Sequence, residues 1–347
     1  MNETYLIGEI GQNHNGSVDI AKLIVDAAAR EVEEGLFQLK LKGMNAVKLT
    51  KRDLRYELSD SQMNRPYTSA HSFGPTYGEH REVLELNDEE HFEVYKYAKS
   101  LGLDFVETLC APSCVSMFKY FTPDYLKVAS RDLTNHPLLE VLGETKLPII
   151  VSTGMAGDKE LEEAIAVLSR HHNNISVLHC VSEYPTHPKN VNLKTIPYLQ
   201  KKYPQYTVGY SDHTVGISVP VAAVAMGASI IEKHITLDRR MKGTDQAGSL
   251  GPDGLNRMVR DIRLLEMEIG EEKIFIANEV ELARHKLERS IASNKNIAQG
   301  QIISESDIHM LSPGDGFKWS DRQSLVGKKA TKTIPANEVI YPADIES

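Results

Sequence analysis

Through the first 270 residues the chain alternates between short aliphatic runs and longer stretches whose apolar positions recur every three or four residues. The short runs are Tyr5–Ile10, Asn45–Thr50, Asp104–Thr108, Tyr125–Ser130, Pro148–Ser152, Ser176–Cys180, Thr207–Ser211 and Ser229–His234. Their length and their Val, Ile and Leu content suit strands buried on both faces, as in parallel sheets. The stretches between them include Asp19–Glu33, Asp88–Leu101, Lys159–His171 and Val215–Met226, all with helical spacing. Alternation of this kind predicts parallel β/α units, and eight candidate strands predict a closed TIM barrel, (β/α)8, of the α/β class. The connection from about Lys51 to Leu86 is unusually long, and long ordered loops are commonly functional.

After the helical run Gly254–Glu268 the pattern breaks. Residues 271–286 read as a partly helical linker, and residues 287–347 as short strands and turns in a compact β-rich module. A module that small buries little apolar surface alone, so it is expected to dock on a barrel or a partner chain. The predicted plan is a barrel over 1–270, a linker over 271–286 and the β-rich module over 287–347.

In a β/α barrel the loops at the C-terminal strand ends surround one cleft, so polar residues there are the candidate chemistry. The first run carries Glu9 and leads into Gln12, Asn13, His14 and Asn15; the second carries Lys48 and Thr50. Lys127 and Ser130 belong to the fourth, and Ser152 to the fifth, which continues into Thr153 and Gly154. The sixth leads to Ser182 and Tyr184, the seventh to Ser211, Asp212 and His213, and the eighth carries Glu232 and His234. Polar groups at nearly every strand end argue for convergence on one cleft.

His213 and His234 come from adjacent strands. Two neutral imidazoles with carboxylates nearby suit Mn2+, Fe2+, Zn2+ or Mg2+, completed by water and substrate oxygens. A pair of hydrogen-bonded structural histidines is the plainer alternative. Lys48 and Lys127 point into the same cleft, where two ammonium groups need a compensating anion. Ser130, Ser152 and Ser211 add hydroxyl donors, and Gly154 lets backbone N–H groups approach a phosphate closely. Either lysine could instead form a Schiff base, as in barrel aldolases.

Composition narrows the partners. Hydrophobic residues make up 41% and charged residues 25%, ordinary for a soluble globular protein. With 39 basic against 48 acidic residues the net charge is −9, which disfavours nucleic acid and anionic membrane surfaces. A basic cleft for an anionic substrate remains compatible with that balance. No run has the length and apolarity of a membrane span, and the N-terminus lacks a secretory signal pattern. Three cysteines, Cys110, Cys114 and Cys180, carry no disulfide-framework spacing, so a reducing cytoplasm is expected. A zinc site on Cys110 and Cys114 would need two further ligands nearby.

The segments GEIGQNHNGS, AVKL, LKVASRDLTNHPLL, IVSTGM, LHCVSEYPT, VGYSDHT, IIEKHITLDRRMKGTD and SLGPDG resemble, in order, signatures of the N-acetylneuraminate (sialic acid) synthase family. NIAQGQII, SPGDG and LVGKKATKTIPANEVI resemble that family's C-terminal antifreeze-like (SAF) domain. Any single piece is weak, but the ordered set is specific and spans nearly the whole chain. The resemblance implies a transferase that condenses phosphoenolpyruvate with N-acetylmannosamine or a related amino-sugar aldehyde. It also implies a divalent metal, Mn2+ or Mg2+, and a domain-swapped homodimer. His213 and His234 would hold the metal. Lys48, Lys127, Ser130, Ser152, Ser182 and Ser211 would surround phosphoenolpyruvate, and Tyr184, Glu232 and Asp245 would contact the sugar. Glu9 or Glu232 would handle a proton or hold a sugar hydroxyl.

Departures from the family pattern bear on the acceptor. Thr50 stands where a glutamine is expected near the sugar, Arg131 where glycine is preferred, Ser182 for asparagine and Gln246 for a frequent histidine. Ser312 stands where an arginine is expected to reach across a dimer to the acetamido group, with Arg289 a nearby substitute. A legionaminate- or KDN-type product is therefore an alternative. The loop RPYTSAHSFGPTYGEHREVLEL resembles that of animal-type synthases accepting the 6-phosphorylated sugar, and offers Arg65, His80 and Arg81 as phosphate ligands. Its plainer role is to cover the barrel mouth. Beside the synthase, two readings stay open: a Schiff-base aldolase, and a sugar-binding protein that lost the chemistry through Thr50, Arg131 and Ser312.

Overall fold

The computed structural model describes residues 3–346, and the chain divides into two compact units, Met1–Gly270 and Glu271–Ser347. In the first unit eight parallel strands close into a barrel. They are β1 (Tyr5–Gly11), β2 (Ala46–Lys51), β3 (Asp104–Leu109), β4 (Tyr125–Val128), β5 (Ile149–Ser152), β6 (Ile175–Cys180), β7 (Thr207–Asp212) and β8 (Ile230–His234). Closure is made by β1, which pairs with both β2 and β8 and sets Glu9 level with Lys48 and His234. These bounds fall within one or two residues of the aliphatic runs. The largest shift is in β4, where Ser130 opens a 3-10 turn, Ser130–Asp132, rather than ending the strand.

Side chains alternate across each strand, and the two faces do different work. Outward residues such as Leu6, Val47, Phe105, Leu126, Val151, Val177, Val208 and Ile231 join the helices in the main core. Inward residues Ile7, Ala46, Val106, Ile150, Leu178 and Ile230 form a separate apolar plug. The barrel is thus closed at its floor and the cleft can open only above it.

The helix Val18–Ala29 starts at Ser17, whose hydroxyl accepts from the Ile20 N–H, and buries Ala21, Ile24, Val25 and Ala28 on one face. It ends four residues short of the expected Glu33. Val32–Glu34 instead pairs antiparallel with Leu39–Leu41, with Val32 opposite Leu41 and both buried. A two-residue period there outcompetes helix continuation. The long connection after β2 is ordered as three short helices, Leu54–Glu57, Asp60–Met63 and Tyr77–Val83. Thr76 and Glu79 cap the last of them reciprocally.

The closing helix, Pro252–Glu268, carries the buried Arg263. Its guanidinium donates to the Thr4 carbonyl at 2.9 Å, to the Gly43 carbonyl at 3.3 Å and to Asn45 Oδ1 at 2.8 Å. One side chain thereby ties the last helix to the entrances of β1 and β2.

The second unit contains the helix Glu281–Leu287 and an antiparallel pair, β9 (Ser290–Ser293) and β10 (Ile308–Leu311). Ile291, Ile297, Ile303, Ile308, Leu325, Ala330, Ile334 and Ile340 make its own core. Among the described residues no helix is long and apolar enough to cross a membrane.

Candidate active site

One step along each strand from the apolar plug, every inward position becomes polar or small: Glu9, Lys48, Thr108, Lys127, Ser152, Cys180, Ser211 and Glu232. All eight line a single cavity of about 200 Å³. Two residues further on, Gly11, Thr50, Cys110, Ala129, Ser182, His213 and His234 line the same cavity at the rim. A change from aliphatic to polar at one height on every strand turns a packed floor into a site.

The lower layer carries two ammonium groups and two carboxyls. Lys48 Nζ pairs with Glu9 Oε2, donates to Thr108 Oγ1 at 3.0 Å and lies 3.8 Å from Glu232 Oε2. Lys127 Nζ lies 3.9 Å from Glu232 Oε1, which also accepts the Ser211 hydroxyl at 2.9 Å. Both lysines are at most 5% exposed, so each is held by its neighbours rather than by water. Burial pushes the Glu9 carboxyl up, against the pull of Lys48. Burial acts on Glu232 the same way, but Lys127, Lys48 and the Ser211 hydroxyl outweigh it and hold Glu232 low. The two carboxyls are therefore driven apart, a pattern that suits Glu9 to hold and hand over a proton while Glu232 stays ionised. Burial draws the Lys127 ammonium down, Glu232 opposing.

Beside the lysines sits a hydroxyl-lined corner. The Gly154 N–H donates to Ser130 Oγ at 3.0 Å. A Cβ on Gly154 would overlap Ser182 Oγ and lie 2.8 Å from both Cys180 Sγ and Ser130 Oγ, so glycine is required for this close approach. Ser152 Oγ is buried with no partner, a donor turned toward the cavity and unmatched by protein.

The two imidazoles stand on the other strands of the same rim, ring centroids 5.6 Å apart. His213 Nδ1 meets the Val181 carbonyl at 2.8 Å, which assigns the proton to that nitrogen and leaves Nε2 with a lone pair. His234 Nδ1 is buried without a partner. Burial pushes His234 down to about 4, Asp245 opposing. On His213 burial acts likewise, but the Cys180 thiol and the Val181 carbonyl outweigh it and raise the ring. The Tyr184 ring packs 4.0 Å from His213 and 6.1 Å from His234. Among the described residues no three His, Cys, Asp or Glu side chains are grouped to hold a metal, so a cation here would take two imidazoles and complete its shell with water and substrate oxygens.

Most residues singled out in the sequence come together. Thr50, Ser130, Ser182, Tyr184 and Asp245 line the cavity with the lysines, carboxyls and histidines. Arg81 does not line it: the side chain is buried and Nη1 donates to Gln12 Oε1 at 2.6 Å, so Arg81 reaches the cavity through Gln12. The His80 ring packs against Tyr67 at 4.6 Å and Phe73 at 5.8 Å, and Arg65 is exposed. In the second unit Ser312 Oγ donates to the Leu287 carbonyl at 2.9 Å, and Arg289 Nη1 to that of Met310 at 3.3 Å. Cys110, Cys114 and Cys180 are free thiols. Thr108, Cys110, Arg52, Arg131 and Met155 also line the cavity. Thr108 was within reach of a parity count from Val106, and Arg52, one residue past its strand, of the same count from Lys48 and Thr50.

The NeuB family model matches residues 38–274 and the SAF domain model residues 288–346. The chain is 33% identical to the N-acetylneuraminate-9-phosphate synthase of Homo sapiens, over 97% of this chain and 91% of that one. It is 34% identical to the N,N'-diacetyllegionaminic acid synthase of Legionella pneumophila, over 99% of this chain and 95% of that one. The crystal structure of an N-acetylneuraminic acid synthetase from Leptospira borgpetersenii, in complex with citrate, matches with a TM-score of 0.66 at 29% identity, covering 81% of this chain and 90% of that one.

Proposed function

Because the chain belongs to the NeuB family, we propose that it condenses phosphoenolpyruvate with an amino-sugar aldehyde to give a sialic-acid-type nonulosonate and phosphate. The observation that carries this reading is the polar layer itself: two buried lysines and an unpartnered serine hydroxyl share one cavity with two imidazoles. That is the complement of a small, doubly anionic substrate beside a carbonyl.

Lys48 and Lys127, with Ser130, Ser152 and Ser211, are suited to grip the phosphate and carboxylate and to hold carbon 3 of phosphoenolpyruvate toward the aldehyde. His213 and His234 fit a divalent cation such as Mn2+ or Mg2+, since one ring keeps a free lone pair and the other a buried, unpartnered nitrogen. When bound, such a cation supplies Lewis-acid polarisation of the aldehyde oxygen. Carbon 3 bonds to the aldehyde carbon, and the aldehyde oxygen becomes a hydroxyl by taking a proton, for which Glu9 is the suited donor. Water adds to the electron-poor carbon 2 and gives up a proton, for which the Glu9 carboxylate left by the first step is the suited acceptor. The bond from carbon 2 to the phosphate oxygen then breaks, and phosphate leaves with the electron pair and the proton of the carbon 2 hydroxyl as the keto group forms.

Incubation with phosphoenolpyruvate, Mn2+ and a panel of hexosamine aldehydes should release inorganic phosphate in step with a new keto-acid sugar. Borohydride trapping of a lysine–substrate adduct would overturn this reading in favour of an aldolase. Absence of phosphate release with every aldehyde would reduce the chain to a binding protein.

A further inference from the structure

Two guanidinium groups line the cavity rim together, those of Arg52 and Arg131. They converge on a single oxygen, Glu57 Oε2, with Arg52 Nη1 at 3.2 Å and Arg131 Nη2 at 2.9 Å. Asp132 takes Nε of Arg131 at 3.2 Å, and Glu85 lies 3.5 Å from Nε of Arg52. The clamp runs from the interior to the surface: the Glu57 side chain is 9% exposed and that of Arg131 38%. Arg131 is thus locked along its Nε–Nη2 edge, while Arg52 is held at Nη1 and its buried Nε has no hydrogen-bond partner among the described residues. Nη2 of Arg52 and Nη1 of Arg131 make no hydrogen bond among the described residues. A planar fork with one edge fixed and one amino group free is preorganised for an anion of tetrahedral or planar shape.

From these contacts we propose that Arg52 and Arg131 form an anion subsite at the cavity mouth, selecting an acceptor sugar that carries a phosphomonoester or a carboxylate remote from its aldehyde. The proposal rests on the synthase reading. Phosphoenolpyruvate has two anionic groups, and the deeper lysines and serine hydroxyls already complement both. The rim arginines are left for the second substrate. Placement agrees: Arg131 follows Ser130 in the same 3-10 turn, and Arg52 continues the inward series Lys48, Thr50. Burial raises both Glu57 and Glu85, while on Arg131 burial is outweighed by its neighbours, Asp132 and Glu57 among them, which keep the guanidinium firmly charged. Arg81 lies nearby but is turned onto Gln12 and does not line the cavity.

The test uses three acceptors that differ only at carbon 6: N-acetylmannosamine, its 6-phosphate and N-acetylmannosaminuronic acid. One of the two anionic sugars should show kcat/KM about tenfold or more above the neutral sugar, the worth of one hydrogen bond to a charged group. Which of the two it is distinguishes phosphate from carboxylate. R131G and R52Q should each cut that ratio by about tenfold, and R131K, which keeps charge but not the fork, should retain part of it. A wild-type preference for the neutral sugar, or a ratio unmoved by R131G, R52Q and R131K alike, would overturn the proposal. If no acceptor turns over, titration calorimetry with N-acetylmannosamine 6-phosphate and N-acetylmannosaminuronic acid separates the two claims. Binding lost in the variants supports the subsite while the synthase reading fails; equal binding in wild type and variants, or none in wild type, sinks the subsite as well. Melting curves of R131K and R131G establish that each variant is folded.

Discussion

Glu232→Gln removes one negative charge from the floor of the cavity while keeping its shape. The amide oxygen can still accept the Ser211 hydroxyl, so the change is one of charge. Glu232 lies 3.8 Å from Lys48 Nζ and 3.9 Å from Lys127 Nζ. At an effective dielectric of about 20, each contact near 4 Å is worth about 4 kcal/mol of attraction. Much of that is offset by the cost of holding a carboxylate out of water, and breaking a buried pair typically costs about 3 kcal/mol. For a domain of this size such a loss lowers Tm by roughly 10 °C. The sign reverses when an anion binds, because phosphoenolpyruvate returns the missing negative charge to the two ammonium groups. Thermal unfolding followed by circular dichroism, with and without phosphoenolpyruvate, should therefore show a destabilised free variant that gains more from the ligand than wild type does. An unchanged Tm in the free variant would refute the charge balance described for this layer. So would equal gains for both proteins on adding the ligand.

Lys127 gives a pH signature: burial lowers its affinity for a proton, so the free protein loses this charge at a lower pH than an ordinary lysine. Phosphoenolpyruvate binding should weaken as pH rises through that depressed value and should take up protons, measurable by calorimetry in buffers of differing ionisation heat; zero uptake would count against it. Gly154→Ala places a methyl against Ser182, Cys180 and Ser130, so KM for phosphoenolpyruvate should rise by about tenfold or more, and the melting temperature should fall with a loss of about 1–3 kcal/mol, the cost of overpacking. Arg81→Ala should raise KM to a similar extent for neutral and charged acceptors, because Arg81 acts through Gln12, and should cost about 1–3 kcal/mol from the unpaired groups left behind. A selective loss with the 6-phosphate would instead put Arg81 in contact with the substrate.

The barrel is legible because strands buried on both faces must be aliphatic, and their spacing leaves room for one helix each. The polar layer is equally legible, since parity along each strand fixes which residues face inward: Glu9, Lys48, Lys127, Ser152, Ser211 and Glu232 all follow from it. Local competition hides other features. Val32 and Leu41 are paired across a hairpin whose first half also continues a helical period, and nothing local decides between the two. The arginine clamp depends on contact between Arg131 and Glu57, 74 positions apart, so the departure at Arg131 reads as an oddity until the fold supplies its partner. Arg81 errs the other way: a cation in a suggestive loop reads as a ligand until burial turns it inward toward Gln12.

The tie made by Arg263 has a consequence for how this chain is born. β1 leaves the ribosome more than 200 residues ahead of β8 and the closing helix that complete its contacts. At ordinary elongation rates of about 5–20 residues per second, that interval is roughly 10–50 s. Throughout it the nascent sheet keeps an unzipped edge at β1, whose hydrogen-bonding groups and aliphatic face have nothing of their own to meet. Interrupted translation before Arg263 should thus leave aggregation-prone fragments rather than smaller stable proteins.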